Sequence, residues 1–519
     1  MTRWAIAADL NRCIGCQTCT SACKHANATP PGVQWRKVLD FEAGAFPDVH
    51  RAFLPTGCMH CDDPPCMHVC PSTATGKRDD GIVTIDYDIC IGCAYCALAC
   101  PYQARFRLDG ASFAYGGLTG MANEKQREQP ERSGVAQKCT FCVERIDAGL
   151  AAGLTPGIDP EATPACVSSC IAGALHFGDA DDPDSNVAKL LAENQHFRMH
   201  EELDTGPGIF YLNGAGNADQ PEPELVADPA SQASVAPARQ TSWDWRAAMN
   251  FMAGGAGTGL FFASAQTAFT GPTPLLPGLI ALALVATGLF CVWMEIGRPW
   301  RFLNVFRNPN TSWMTREALA ALPFLACGLT ALTFNLPLLG MVAALFGLLF
   351  LYCQGQILHA AKGIPAWRPA QIPYLIFATG LTEGAGLFLL LTGGASLGMA
   401  AGLLALTALR YLVWRRYKAN LFSTGAPTRT VEVLERFEGG FFSAGCLAPA
   451  ALVVAGFLLP GLQPILFSLA GLVVFTSGWW LKFTLVTKAA YNQGYAINAM
   501  PARGGTGAPG IKPGWTAKP

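Results

Sequence analysis

The spacing of apolar and polar positions divides the chain into two unlike halves. Up to about residue 212 the apolar runs are short and broken by Gly, Pro and groups of cysteine; the extended runs 81–88 (GIVTIDYD) and 174–179 (ALHFGD) each stand beside such a group. This punctuation predicts a loop-rich α+β domain, with glycine wherever the backbone must turn closely. From Trp245 onward the pattern becomes eight long apolar segments, near 245–269, 275–296, 317–335, 337–359, 372–393, 397–416, 441–459 and 464–486. Each approaches the roughly 20 residues that a helix needs to cross a bilayer. Residues 213–243 contain almost no large apolar side chains and read as a flexible linker. Residues 491–519 are rich in Gly and Pro and read as an extended tail. The predicted order is a cysteine-rich domain (1–212), a linker (213–243), an eight-span all-α bundle (244–490) and the tail (491–519).

Composition agrees with this division. Charged residues make up 14% of the chain and hydrophobic ones 51%, whereas soluble domains carry roughly 25% charge. A net charge of −1 excludes the basic field that nucleic-acid binding requires. The charges left in the membrane half are sorted by side. Loops after the odd-numbered spans have no Lys or Arg. Those after the even-numbered spans carry Arg298, Arg301, Arg307 and Arg316, then Lys362 and Arg368, then Arg415, Arg416, Lys418, Arg429 and Arg436. The positive-inside rule therefore predicts both termini and the cysteine domain on the cytoplasmic side of the inner membrane. The first cysteine motif begins at Cys13, after no apolar core and no twin-arginine pair, so no export signal is expected.

Sixteen of the 20 cysteines precede residue 171, in four groups of four. Cys13, Cys16, Cys19 and Cys23, and again Cys90, Cys93, Cys96 and Cys100, have the spacing C-x2-C-x2-C-x3-C; the second run ends in Cys-Pro. Cys58, Cys61, Cys66 and Cys70 form a variant with a longer gap. In the fourth group, Cys139 and Cys142 are separated by a loop from Cys166 and Cys170. The repeated run is the ferredoxin signature, in which three close cysteines hold one [4Fe–4S] cluster and the fourth reaches another. Zinc uses C-x2-C pairs too, but one tetrahedral ion cannot employ four cysteines packed within eleven residues; disulfides are not expected in the cytoplasm. Sixteen thiolates at four per cluster predict four [4Fe–4S] clusters in a duplicated ferredoxin-like domain. Groups two and three would exchange their last cysteines, and groups one and four likewise. No cluster iron is left open for substrate, so the domain is expected to conduct electrons and to hold no catalytic residue. Cys291, Cys327, Cys353 and Cys446 are expected to pack as small hydrophobes.

These residues resemble a known family. The cysteine half is similar to the four-cluster iron–sulfur subunits of complex molybdoenzymes, such as dimethyl sulfoxide, polysulfide and tetrathionate reductases. The likeness is carried by KCTFCVERIDAGL (138–150), TPACVSSCIAGALHFGD (163–179) and RMHEELDTGPGIFYL (198–212). The last two look more like the corresponding subunit of membrane-bound cytoplasmic sulfite dehydrogenase. EIGRPWRFLNVFRNPNTSWMTRE (295–317), IPAWRP (364–369) and PGIKPGW (509–515) resemble the eight-helix anchor of the dimethyl sulfoxide reductase type. The resemblance implies two subunits fused in one chain. Its partners would be a molybdopterin (bis-guanine dinucleotide type) catalytic subunit, the quinone pool and membrane lipid. It implies four ligand sets: Cys13, Cys16, Cys19 and Cys170; Cys23, Cys139, Cys142 and Cys166; Cys58, Cys61, Cys66 and Cys100; and Cys70, Cys90, Cys93 and Cys96. One departure falls at Glu295, where the anchor family usually has a His implicated in quinone chemistry.

Ionisable residues inside spans suggest function. Glu295, Arg298 and Glu317 lie at the cytoplasmic ends of the second and third spans. They offer the proton acceptor and hydrogen-bond donor that a quinone needs near its carbonyls, against the alternative of interfacial anchoring. Glu383 and Arg410 could pair with one another, and Lys482 is expected to snorkel. His359 is the only histidine in the membrane half, which rules out a bis-His haem. The expected function is electron transfer between a molybdenum subunit and quinone, with sulfite oxidised. The alternatives are reduction of dimethyl sulfoxide or another sulfur oxyanion and, more remotely, a stand-alone redox-linked ion transporter.

Overall fold

The computed structural model describes residues 2–45, 48–110, 112–115, 120–212, 234–267, 274–393 and 397–497. Most of the expected linker and most of the tail therefore lie outside the described residues.

The cysteine half is built on a four-stranded sheet of β1 (Trp4–Asp9), β2 (Leu175–Asp179), β3 (His196–Phe197) and β4 (Ile209–Leu212), in the order β2-β1-β4-β3. β1 runs parallel to β4, with Ile6 opposite Ile209, and antiparallel to β2, with Ala8 opposite Leu175. Strand alternation gives the sheet two apolar faces. Ala5, Ala7, Phe210 and Leu212 are covered by the helix Asn186–Glu193 through Val187. Ile6, Ala8, Phe177 and Tyr211 face the cysteines. Two pairs of short helices carry cysteines: Thr18–Ala26 against Ala165–Ser168, and Pro65–His68 against Tyr95–Ala99. A long hairpin, Arg36–Ala45 with Asp48–Gly57, places Arg36 opposite Gly57.

The second half consists of α1 (Trp245–Gln266), α2 (Leu275–Glu295), α3 (Trp313–Phe334), α4 (Pro337–Ala360), α5 (Ile372–Leu391), α6 (Leu397–Leu421), α7 (Thr428–Leu458) and α8 (Gln463–Lys488). Among the described residues, α2 to α8 are the seven helices long and apolar enough to cross a membrane. α1 is as long but falls outside that set, where eight apolar spans were expected. Asn250, Thr258, Ser264 and a run of small residues lower its hydropathy, and nearly all of it is buried by α2, α4 and α5. α7 begins at Thr428, more than three turns before the expected 441, and continues through a π-helical turn at Ser443–Leu447.

Small residues allow the helices of the bundle to approach closely. A Cβ on Gly384 of α5 would lie 1.9 Å from the Gly259 carbonyl carbon of α1, so only glycine fits at that crossing.

The halves share one core, which runs from Cys66, Tyr95 and Cys96 through Trp243 and Trp367 to Trp414. The strap between α2 and α3 lies against the cysteine domain. The Arg298 N–H donates to the Ile91 carbonyl (3.1 Å), Asn304 Nδ2 to Ile89 (3.0 Å), Asn308 Nδ2 to Cys70 (2.9 Å) and Ser312 Oγ to Val69 (2.9 Å). Gly134 and Gly297 meet so closely that a Cβ on Gly297 would stand 2.1 Å from the Gly134 oxygen.

Candidate functional site

The two C-I-G-C-x-x-C loops have the same backbone. Gly15 and Gly92 have φ of +69° and +71°, and the residues after the second cysteine, Gln17 and Ala94, have +63° and +58°. Two left-handed residues in each short loop curl it around its thiols before the helix begins.

Among the described residues no two cysteines form a disulfide. Cys13, Cys16, Cys19 and Cys170 line one small cavity. Cys70, Cys90, Cys93 and Cys96 line another. These are the first and fourth sets that the resemblance implied. Cysteines of the other two implied sets neighbour one another. Burial raises the Cys23 thiol, and its charged neighbours Cys139, Cys166 and Cys142 raise it further. Burial and then Cys58, Cys66 and Cys100 do the same for Cys61. Among the described residues no group of three or more His, Cys, Asp or Glu could hold a single metal ion; the thiols surround spaces instead.

Thiols of successive implied sets also neighbour one another. Burial pushes Cys19 up to about 11, opposed by Arg36 and reinforced by Cys166 of the second set as well as by Cys13 and Cys170. Burial takes Cys139 up to about 12, against Arg36 and with help from Cys166 and from Cys58 of the third set. Cys66 of the third set feels Cys96 of the fourth. A thiol so raised becomes a thiolate ligand only where compensating positive charge arrives. Four soft donors around each space suit a [4Fe–4S] cluster. Amide groups point at the sulfurs: the Phe141 N–H at Cys139 (3.4 Å), the Ala174 N–H at Cys170 (3.3 Å), and Asn27 Nδ2 at both Cys23 and Cys142 (3.7 Å each).

At one end of the row Cys16 is exposed, flanked by exposed Ile14 and Ile171. At the other end Cys93 lines a small cavity with Trp243, Asn250, Phe251, Glu295 and Glu317. Glu295 comes from the last turn of α2 and Glu317 from the first turns of α3. Asn250 Nδ2 donates to Glu317 Oε1 (2.9 Å), the Asp244 N–H donates to Glu295 Oε1 (3.1 Å), and the Trp243 indole donates to the Cys93 carbonyl (3.0 Å). Gln354 Nε2 donates to the Asn250 carbonyl (2.8 Å).

Arg298 does not line this cavity. Its guanidinium donates to the carbonyls of Ser133 (2.8 Å) and Pro130 (2.9 Å), so it fastens the cysteine domain rather than facing the two glutamates. Trp243, Asn250 and Gln354 were not expected there. A polar Asn one turn inside an apolar segment is the signal that could have found Asn250.

Two expectations about buried charge are corrected. Lys482 is fully buried, and its Nζ lies 2.6 Å from Glu383 Oε2. Glycine opens its path inward: a Cβ on Gly255 would lie 2.2 Å from that Nζ, and one on Gly478 2.3 Å from Glu383 Oε1. Arg410 instead donates to the Gly445 carbonyl and lies over the Phe441 ring at 5.1 Å.

Residues 49–114 match the family model described as a 4Fe-4S dicluster domain, and residues 273–433 match the DMSO reductase anchor subunit (DmsC). The chain is 42% identical to the B subunit of selenate reductase from Mesobacillus selenatarsenatis, over 40% of this chain and 72% of the relative. It is 39% identical to a putative dimethyl sulfoxide reductase iron-sulfur subunit from Halobacterium salinarum, over 45% and 90%. It is 36% identical to the B subunit of sulfite dehydrogenase from Allochromatium vinosum, over 41% and 83%.

Proposed function

The chain belongs to the iron–sulfur subunit family of the dimethyl sulfoxide reductase and sulfite dehydrogenase type, with a DmsC-type membrane anchor fused behind it, and on that premise we propose that it carries electrons between a molybdopterin catalytic partner and membrane quinone. It is an iron–sulfur electron-transfer protein with a multi-pass anchor. The sixteen cysteines would hold four [4Fe–4S] clusters in the four sets above, and such clusters accept and release one electron at a time. The domain would be a duplicated ferredoxin, which the matching left-handed positions in its two loops support.

The observation that carries this reading is the pair of ends. Cys16, exposed between Ile14 and Ile171, would face the catalytic partner. Cys93 would face quinone in the cavity that Glu295 and Glu317 share. Reducing a quinone takes two electrons and two protons. The two carboxyl groups would relay the protons, one to each oxygen, while Asn250 holds Glu317 in place. Trp243 orients the Cys93 peptide. α1 would be the eighth span, shielded from lipid by its neighbours. The basic loops support a cytoplasmic cysteine domain in the inner membrane, and a single histidine in the membrane half supports a bundle without bis-His haem. Sulfite is the proposed substrate of the partner, with electrons running toward quinone.

Membranes holding the full chain test this. A quinol analogue added under anaerobic conditions should reduce part of the cluster signal in electron paramagnetic resonance, and a site inhibitor should block it. Clusters that stay oxidised with every quinol offered would refute the quinone end.

A further inference from the structure

Three fully or almost fully buried cations stand among the cysteine sets, and none has a carboxylate partner. Arg36 is 1% exposed, Lys138 0% and Arg105 6%. Among the described residues no Asp or Glu forms an ion pair with any of them. An isolated buried charge is costly, so an uncompensated one implies an opposite charge nearby.

Their neighbours reveal the pattern. Among the described residues, none of the three side-chain nitrogens of Arg36 has a hydrogen-bond partner. The charges it feels are those of Cys166, Cys139, Cys19 and Cys23, from the first and second sets. Lys138 Nζ donates to the carbonyls of Cys139 (2.8 Å) and Val83. It lies among Cys58 and Cys66 of the third set and Cys139 of the second, with Arg105 also near. Arg105 Nη2 donates to Cys66 Sγ (2.9 Å) and Nη1 to Thr75 Oγ1 (3.0 Å). It lies among Cys66, Cys58 and Cys100 of the third set and Cys96 of the fourth. Each cation therefore has thiols of two successive sets among its charged neighbours.

We propose that Arg36, Lys138 and Arg105 are positioning charges of the wire, each raising the reduction potentials of the two clusters that flank it. The proposal rests on the four-cluster reading above. A cluster bound by four thiolates is anionic and becomes more so on reduction, so a fixed cation favours the reduced form of both neighbours. The cation binds no electron. Each electron leaves one cluster for the next, between quinone at one end and the catalytic partner at the other, and crosses the same cation's field before and after.

The test is a redox titration of the full chain in membranes, followed by electron paramagnetic resonance, with iron and spin counted in parallel. In Arg36→Gln the two clusters of the first and second sets should become at least about tenfold harder to reduce, which is about 59 mV each for a one-electron couple. The other two should move much less. Arg105→Gln should give the mirror image, Lys138→Met should affect the middle pair, and Arg36→Lys should restore most of the shift. Unchanged potentials in variants with four clusters, or equal shifts of all four, would overturn the proposal. If the neutral variants lose iron, Arg36→Lys and Arg105→Lys decide: small shifts confined to the two flanking clusters support the proposal, and shifts spread equally over all four overturn it. A wild-type chain with fewer than four clusters would overturn the ligand reading instead.

Discussion

Glu317 and Glu295 face one cavity from two helices, yet they are held differently. Glu317 is tied by the Asn250 side chain, and the Asn250 backbone is itself braced by Gln354. Among the described residues, the Glu295 carboxylate is tied by one backbone N–H, that of Asp244. Glu317→Gln keeps the volume and the Asn250 contact but removes the proton. It should slow quinone turnover by about a hundredfold or more, the range for loss of a general acid or base, while cluster reduction by the catalytic partner is unchanged; steady-state quinone reduction alongside a single-turnover trace measures both. The Glu383–Lys482 pair calls for a different measurement. Lys482→Met leaves a carboxylate without its partner in the bundle core and should cost about 3–5 kcal/mol, read as a lower unfolding temperature in detergent. The double variant with Glu383→Gln should recover most of it. The identities of these residues stood out in the sequence because charge is rare in spans. Their pairing did not, because it depends on the space left by Gly255 and Gly478, which come from two helices far apart in the chain.

At the scale of elements, the cysteine loops were the most legible part. Spacing dictated both the loop and its left-handed turns, since three thiols can reach one space only if the backbone curls. The set memberships needed helices from distant segments to pack, as Thr18–Ala26 does on Ala165–Ser168, and resemblance supplied what spacing left open. The ends of the row should separate by mutation. Cys93→Ser should alter the cluster signal nearest the glutamate cavity and stop quinone reduction, whereas Cys16→Ser should impair reduction by the catalytic partner and leave quinol-driven reduction of the far clusters intact. Cluster spectra recorded with each donor check this. Among the helices, periodicity located α2 to α6 and α8 well. It misjudged the start of α7, where an amphipathic stretch precedes the apolar one. α1 reads weakly on hydropathy for a physical reason: a helix surrounded by other helices needs small residues for contact more than it needs oily ones for lipid.

On the scale of the whole molecule, charge asymmetry predicts orientation. A reporter fused after Pro519 should be active only in the cytoplasm; a periplasmic signal would reverse the arrangement. The stretch 295–317 carried much of the anchor resemblance, and its Arg298 suggested chemistry. In the fold that stretch is a clamp. Its Arg298 and Arg301 side chains, like those of Asn304 and Asn308, are engaged by carbonyls of the cysteine domain, a use that no local pattern distinguishes from ligand binding.

The clamp changes the meaning of the fusion itself. Asn308 and Ser312 grip the peptide around Cys70, Asn304 that before Cys90, and Tyr95 OH reaches the Ile357 carbonyl at 2.7 Å. At about 1 kcal/mol for each such bond, together with the shared apolar core, these contacts set the spacing between Cys93 and the glutamates. The covalent connection does not. It guarantees a one-to-one stoichiometry and an effective concentration in the millimolar range. Proteolytic cleavage within 213–233 should therefore leave both fragments co-migrating and still competent in quinol oxidation. By this logic two separately translated polypeptides and one continuous chain are interchangeable solutions, and the join saves the cell the task of balancing their synthesis.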